Sequence, residues 1–290
     1  MNLNLDYLNK ENPLKKVIIF FILTILWSWL FWLPSVLRGP YFNLALPEWV
    51  DILGNVAVFG PSIIGIIMTA FDSKKNLKSL LKSTISFKFN KLWLLVLIVP
   101  VVFASISTFT MIYFEGLSVS EVFTEYSLPN FPMFALVFVI ILFVGGPIAE
   151  EYGWRGYAQD RLQLKFNATS TSLILGIVHA LWHLPLFLKY GTVQYESGMP
   201  MYEYFLLVII QTFIYTWVIN NTRSPNGQPN MFLAIMIHQF GNYTSAVFPF
   251  FITTLGRWTL FGLNVVFVIV IMIIYKPRRF VREPKIETIN

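Results

Sequence analysis

The chain has no cysteine, only three histidines and few charged residues. Without cysteine there is no disulfide framework, no thiol nucleophile and no cysteine-ligated zinc site. Asp, Glu, Lys and Arg make up 12% of the 290 residues, whereas about 25% is typical of a soluble domain. Hydrophobic residues make up 56% and aromatic residues 17%, which is more apolar side chain than a soluble fold of this size can bury. The composition therefore predicts an all-α, polytopic membrane protein and excludes the disordered, fibrous and disulfide-rich classes.

Eight apolar runs contain no Asp, Glu, Lys or Arg, and each is long enough, or nearly so, to cross a hydrocarbon core of about 30 Å. They are Val17–Leu37, Ile52–Phe71, Leu92–Tyr113, Met133–Ala149, Leu173–Leu188, Tyr204–Ile219, Met231–Phe251 and Trp258–Tyr275. Backbone groups in lipid must be paired within their own segment, so these runs predict helices. We expect a bundle of about eight transmembrane helices in a multi-pass protein of the cell membrane. The Lys-, Asn- and Ile-rich composition is typical of an AT-rich bacterial genome and points to a bacterial plasma membrane.

Basic residues concentrate in alternate loops: before the first run and after the second, fourth, sixth and eighth runs. The positive-inside rule then predicts that both termini are cytoplasmic, with 276–290 as a basic cytoplasmic tail. Basic loops that face anionic lipid also explain the net charge of +6. We therefore expect membrane lipid as a partner and no nucleic acid. The chain has no internal repeat, and we expect one membrane domain over 1–290 with a motif-bearing core at about 133–251.

Polar residues interrupt the apolar pattern first at Gly145-Gly146-Pro147, which predicts a break and a new helix that begins at Pro147. Glu150 and Glu151 fall in the first turn of that helix, where its dipole favours carboxylates. The i, i+4 spacing of Glu151 and Arg155 predicts an ion pair, whereas Glu150 points about 100° away and has no obvious local partner. An ordinary cytoplasmic helix end is the alternative interpretation of this segment.

Two further polar pairs lie inside apolar runs, each with the i, i+4 spacing that places both residues on one helix face. They are His179 with His183 in the fifth run and His238 with Asn242 in the seventh. Histidines packed between helices, or hydrogen bonds that join helices, are the alternative interpretations. However, all three histidines of the chain lie within predicted spans, where ionisable residues are rare and usually face a cavity.

The three polar segments together predict a hydrolytic site. Glu150, in apolar surroundings, can take a proton from water. An imidazole can orient that water, and His238 and Asn242 can donate hydrogen bonds to the oxygen of a tetrahedral intermediate. No serine nucleophile is needed for this chemistry.

At these residues the chain resembles the CPBP (Abi) intramembrane proteases, which include the type II CAAX prenyl proteases and proteins of bacteriocin processing and immunity. Their EExxxR motif matches Glu150 to Arg155, their second motif ends at His183, and their HxxxN motif matches His238 to Asn242. The phenylalanine of the usual FxxxH motif is His179 here. The resemblance implies an endopeptidase in which Glu150 and His183 activate water. It also implies that His238 and Asn242 form the oxyanion site and that Glu151 and Arg155 support it.

The metal requirement stays open. His179 and His183 at i, i+4 resemble one face of a zinc site that Glu150 or His238 can complete, but the HExxH signature is absent. Water activated directly by Glu150 is an equally plausible mechanism. The substrate is expected to be a peptide or membrane protein that enters the bilayer.

The predicted depths of the site residues conflict. At about 1.5 Å per residue, Glu150 lies some 26 Å below the start of the fourth run, near the cytoplasmic face. His183 lies about 15 Å inside the fifth run from that same face. The two meet only if the Gly-Gly-Pro break tilts the Glu-bearing helix or if the fourth span begins lower.

Two other functions compete with proteolysis. A proton-coupled transporter can use Glu and His as a relay, although transporters often have duplicated halves and this chain shows none. A non-catalytic membrane scaffold or immunity protein that retains the motif is the third possibility.

Overall fold

The computed structural model describes residues 3–126 and 131–281, and every regular element in those ranges is helical. The α-helices are α1 (Pro13–Arg38), α2 (Val50–Ala57), α3 (Gly60–Asp72), α4 (Lys74–Ser83), α5 (Ile98–Glu115), α6 (Val119–Tyr126), α7 (Phe131–Val144), α8 (Pro147–Gly153), α9 (Gln159–Gln163), α10 (Ala168–Trp182), α11 (Val193–Glu196), α12 (Met201–Asn221), α13 (Met231–Val247) and α14 (Thr254–Tyr275). The prediction of an all-α membrane protein is confirmed. Residues 282–290 of the predicted basic tail lie outside the described ranges.

In the part of the chain that the structure describes, fewer than eight helices are long and apolar enough to cross a membrane. Among the described residues five qualify: Pro13–Arg38, Lys91–Glu115, Met133–Gln163, Met201–Asn221 and Thr254–Tyr275. A sixth is formed if α2 and α3, which bend by 51° at their junction, make one span. The count of eight and the orientation of the termini therefore stay predictions.

Prolines shorten the two remaining predicted spans. In the fifth run α10 ends at Trp182, and a 3₁₀ turn over Leu184–Phe187 contains Pro185. In the seventh run α13 ends at Val247, two residues before Pro249. Proline lacks an N–H and disfavours helical backbone in the residue before it, so an apolar run that contains it need not be one continuous helix.

The segment that carries Glu150 is longer than predicted. The predicted fourth span ends at Ala149, but the helical segment continues from Met133 to Gln163. The segment breaks at the predicted place: Gly146 has φ 119°, and α8 begins at Pro147. Glu150 is therefore not at the end of its helical segment, because about 20 Å of helix follows it, counted at 1.5 Å per residue. Its depth relative to the cytoplasmic face stays a prediction.

The charged side chains in this continuation are buried against protein. Asp160 pairs with Arg223, and the hydroxyl of Tyr7 donates to the same carboxylate. Asp72 accepts from Arg161 at 2.6 Å and from Lys16 at 2.7 Å. Burial, together with the Asp160 carboxylate, raises the pKa of Tyr7 well above its ordinary value. Tyr7 therefore remains a neutral hydrogen-bond donor, and these pairs anchor the far end of the helix.

Two glycines bring α3 and α8 into backbone contact. A Cβ on Gly153 would lie 2.3 Å from the Pro61 carbonyl oxygen, and one on Gly65 would lie 2.7 Å from the Gly153 Cα. Real Cβ atoms do not approach backbone atoms this closely, so both positions require glycine. This contact fixes the turn that follows Glu150 and Glu151 against α3.

We predict that Gly153→Ala destabilises the protein by about 1–3 kcal/mol, because the added methyl group overpacks a backbone contact. Thermal unfolding of the purified protein in detergent measures the change. Gly262→Ala in α14 is the matched control, since a Cβ there meets nothing within 4 Å. Equal melting temperatures for the two variants would contradict the prediction.

Candidate active site

The Glu150 carboxylate has partners on two helices. Its Oε2 lies 2.7 Å from His179 Nε2 on α10 and accepts a longer hydrogen bond, 3.3 Å, from Trp154 Nε1. Since an ionised carboxylate only accepts hydrogen bonds, His179 Nε2 is the donor. The expectation that Glu150 has no local partner is therefore wrong, because the indole of Trp154 at i+4 reaches it. The side chain is 3% exposed, and within the described chain its Oε1 makes no hydrogen bond.

His183 is oriented by its own helix. Its Nδ1 donates to the backbone carbonyl of His179 at 2.9 Å. This bond fixes the tautomer and leaves Nε2 as an acceptor. The His183 ring lies 5.0 Å from the His179 ring and 5.2 Å, edge to face, from Tyr204.

Glu151 joins α8 to α13. Its Oε1 lies 2.7 Å from His238 Nδ1, and its Oε2 lies 3.3 Å from Arg155 Nε. The predicted i, i+4 ion pair is therefore present, and both of its members are fully buried. The Arg155 guanidinium also lies 5.0 Å from the ring centre of Tyr215, in cation–π geometry.

Asn242 and Glu150 both approach the backbone of the helix break closely. Asn242 Nδ2 donates to the Gly145 carbonyl at 2.9 Å. A Cβ on Gly146 would lie 2.6 Å from Glu150 Oε1 and 3.3 Å from Asn242 Nδ2. The left-handed backbone at Gly146 favours glycine, and the absence of a side chain there lets Glu150 Oε1 and Asn242 Nδ2 approach the backbone of the break.

The structure thus brings the seven predicted site residues into one cluster. Glu150 and Glu151 lie on α8, Arg155 on the π-helical turn after it, His179 and His183 on α10 and at its end, and His238 and Asn242 on α13. Their roles in catalysis stay predictions. Sequence reasoning missed Trp154, Tyr215 and Gly146 as parts of the cluster. Trp154 lies inside the EExxxR motif and Gly146 in the Gly-Gly-Pro break, so the sequence could have indicated both as parts of the site. Nothing in the sequence distinguishes Tyr215, since it is one of many aromatic residues in an apolar run.

A family model and a curated relative identify the chain. The model described as "Type II CAAX prenyl endopeptidase Rce1-like" matches residues 132–244, which include every residue of the cluster. CAAX prenyl protease 2 of Methanococcus maripaludis is 30% identical over 244 residues, which cover 79% of this chain and 82% of that protein. The chain belongs to the Rce1-like type II CAAX prenyl endopeptidase family. It is therefore a multi-pass membrane peptidase, and the predicted resemblance to intramembrane proteases of this kind is confirmed.

Bacterial relatives of this Rce1-like chain are more distant. Lysostaphin resistance protein A of Staphylococcus haemolyticus and of Staphylococcus epidermidis are each 24% identical over 222 residues, or 77% of this chain. The matched region makes up 54% and 51% of those two proteins. The chain thus spans about half the length of the staphylococcal relatives.

The donor set of this Rce1-like site suits a metal ion. One oxygen or nitrogen from each of Glu150, His179 and His183 lies within 4.8 Å of the other two. Two imidazoles and a carboxylate with an open fourth position is a ligand set of catalytic zinc sites. These three residues would hold the ion, which would lower the pKa of a bound water and polarise a carbonyl.

We predict that His179→Phe, which restores the usual FxxxH motif, weakens zinc binding at least about tenfold because it removes one of three donors. Isothermal titration of the purified protein with Zn²⁺ measures the affinity. Tyr204→Phe is the matched control, since it keeps the ring beside His183 and removes only a hydroxyl. Unchanged zinc affinity in His179→Phe would show that these three residues do not form a metal site.

Proposed function

We propose that the chain is an intramembrane endopeptidase in which Glu150 activates the attacking water and His238 and Asn242 stabilise the oxyanion. The substrate is a peptide or membrane-protein segment that enters the bilayer, as in CAAX proteolysis or bacteriocin processing. The whole chain, 1–290, is taken as a single protease domain with its motif core at about 133–251.

The approach of Glu150 and Asn242 to the helix break is the observation that supports this mechanism. Glu150 Oε1 and Asn242 Nδ2 both lie within 3.3 Å of one point, the position that a Cβ on Gly146 would occupy. A base on α8 and an amide donor on α13 are therefore neighbours at the break. A peptide carbonyl bound beside them would have both a proton acceptor and a hydrogen-bond donor within reach.

The first step is attack by water. Glu150 Oε1 takes a proton from the water while the water oxygen forms a bond to the carbonyl carbon of the substrate. Glu150 Oε2 stays bonded to His179, which fixes the orientation of the carboxylate. His183 Nε2 accepts the other hydrogen of the water and so aims its lone pair at the carbonyl.

The second step is collapse of the tetrahedral intermediate. Asn242 Nδ2 and His238 Nε2 donate to the oxyanion. Because His238 Nδ1 already donates to Glu151 at 2.7 Å, the ring must carry both protons, and the Glu151 carboxylate stabilises this charge directly. The C–N bond then breaks, and the leaving nitrogen takes the proton from Glu150. The products are a carboxylic acid and an amine, and Glu150 is again a carboxylate.

We predict that Glu150→Gln lowers kcat by at least about 10²-fold, because an amide cannot accept the proton of the water. Cleavage of a fluorogenic membrane peptide by the purified protein measures the rate, and its melting temperature shows whether the fold persists. Glu115→Gln at the exposed end of α5 is the control and keeps wild-type activity. A folded Glu150→Gln protein with wild-type kcat would rule the mechanism out.

We predict that Asn242→Ala lowers kcat by about 10²- to 10³-fold with little change in KM, because an oxyanion donor acts mainly in the transition state. The same peptide assay separates the two constants. Ser245→Ala, one turn further along α13, is the control and keeps wild-type kcat. A rise in KM alone would instead assign Asn242 to substrate binding.

An immunity protein that keeps the motif without cleaving is the second candidate, and the staphylococcal relatives named for lysostaphin resistance favour it. The two functions differ in their need for Glu150. If Glu150→Gln still protects cells that depend on the wild-type protein, the immunity function is supported and proteolysis is not what the cell requires.

A further inference from the structure

A row of polar side chains runs away from the site along the helix that carries Glu151. Glu151, Arg155, Gln159 and Gln163 follow one another at intervals of four, so they share one helix face. The first three are completely buried. An apolar face would suffice to pack this segment, so four consecutive polar positions call for a physical explanation.

The row is linked at both ends by contacts to other helices. At the site end, Glu151 holds His238 at 2.7 Å and Arg155 at 3.3 Å. At the other end, Asn220 of α12 accepts from Gln159 at 3.3 Å and from Gln163 at 3.1 Å. Between these ends, Arg155 and Gln159 are one helical turn apart.

The middle of the row has donors and acceptors without protein partners. Among the described residues, Glu151 Oε2, all three guanidinium nitrogens of Arg155 and Gln159 Oε1 are buried and make no hydrogen bond. The ion-pair contact between Glu151 and Arg155 is too poorly aligned to count as one. Burying such groups without a hydrogen-bond partner is unfavourable, and more so for charged groups. Buried water is the usual way in which proteins satisfy them.

The far end of the row reaches an open cavity. Gln163 lines a polar cavity together with residues of the N-terminal segment, of the turn between α9 and α10, and of the segment after α14. Lys10, Lys165 and Arg278 are among its lining residues, and all three are exposed. Water therefore has access to the last residue of the row.

We propose that this face binds a file of water molecules that connects the Glu151–His238 pair with the cavity at Gln163. The water hydrogen-bonds the free atoms of Glu151, Arg155 and Gln159 in turn, and Asn220 and Gln163 close the file at the cavity. Its use as the route by which water and protons reach the catalytic pocket rests on the proposed function. The binding of water by these side chains does not.

Transfer of magnetisation from water to side-chain nitrogens tests the proposal directly. The full chain, uniformly labelled with ¹⁵N, is reconstituted in lipid bilayers, and solid-state NMR measures how fast polarisation from water reaches each guanidinium and each backbone amide. We expect Arg155 to build up about as fast as the exposed Arg278, although Arg155 is 0% exposed. A build-up as slow as that of buried backbone amides in α5 would overturn the proposal.

Substitutions at Gln159 test whether the file is continuous. Gln159→Met keeps the length of the side chain and removes its polar atoms, so we expect transfer to Arg155 to slow at least about threefold. Asn220 Oδ1 keeps its bonds from Gln163 and Arg223 in this variant. Gln159→Asn retains an amide and is expected to behave like the wild type. Unchanged transfer in Gln159→Met would contradict a continuous file.

Thr108→Val is the matched control. Thr108 is also buried with an unpartnered hydroxyl within the described chain, but it lies on α5 and outside the row, so transfer to Arg155 should not change.

Failure of this proposal is distinguishable from failure of the proposed function. Slow transfer to Arg155 in a chain that cleaves peptides would contradict only the proposed water file. Fast transfer in a chain whose Glu150→Gln variant cleaves as well as the wild type would contradict only the proposed mechanism.

Discussion

Two adjacent carboxylates inside an apolar bundle impose the constraint on which the rest of the site depends. A charge buried in low dielectric is stable only when it is paired and hydrogen-bonded. Glu150 meets this requirement through His179 on α10, and Glu151 meets it through His238 on α13 and Arg155 one turn away. Because neighbouring residues on a helix point about 100° apart, the two carboxylates hold helices on two different sides. The site is therefore also part of the packing of the bundle.

Small residues and distant ion pairs hold the carboxylate-bearing helix in place. Gly153 lets α8 touch the backbone of α3, and Gly146 leaves room beside Glu150. At the other end, the pair of Asp160 and Arg223 ties the helix to the end of α12. Between these anchors lies a π-helical turn over Trp154–Ala158, a feature that often occurs at functional sites. A site supported in this way is organised before substrate arrives, which is what electrostatic catalysis requires.

The predicted end of the fourth span failed because hydropathy takes no account of tertiary contacts. The fourth span was expected to end at Ala149 because charged residues follow it, yet the helix continues to Gln163 with those charges buried against protein. Hydropathy treats a charge as a marker of the water boundary and does not register that another helix can supply its partner. The expectation that Glu150 has no local partner failed for a different reason, since the Trp154 indole one turn further along the same helix donates to it.

Hydropathy and helical periodicity are local properties of the sequence, and they determined the membrane class, the all-α fold and the three polar motifs. The break at Gly-Gly-Pro is also local, because it follows from the backbone preferences of glycine and proline. The same periodicity placed Glu151 beside Arg155. Which imidazole meets which carboxylate was decided only by the tertiary structure, because it depends on how far each helix is rotated and where the helices cross. Spacing within a run carries no information about either quantity. The contact of Tyr215 with Arg155, and the approach of Asn242 to Gly145, follow from the same rotations.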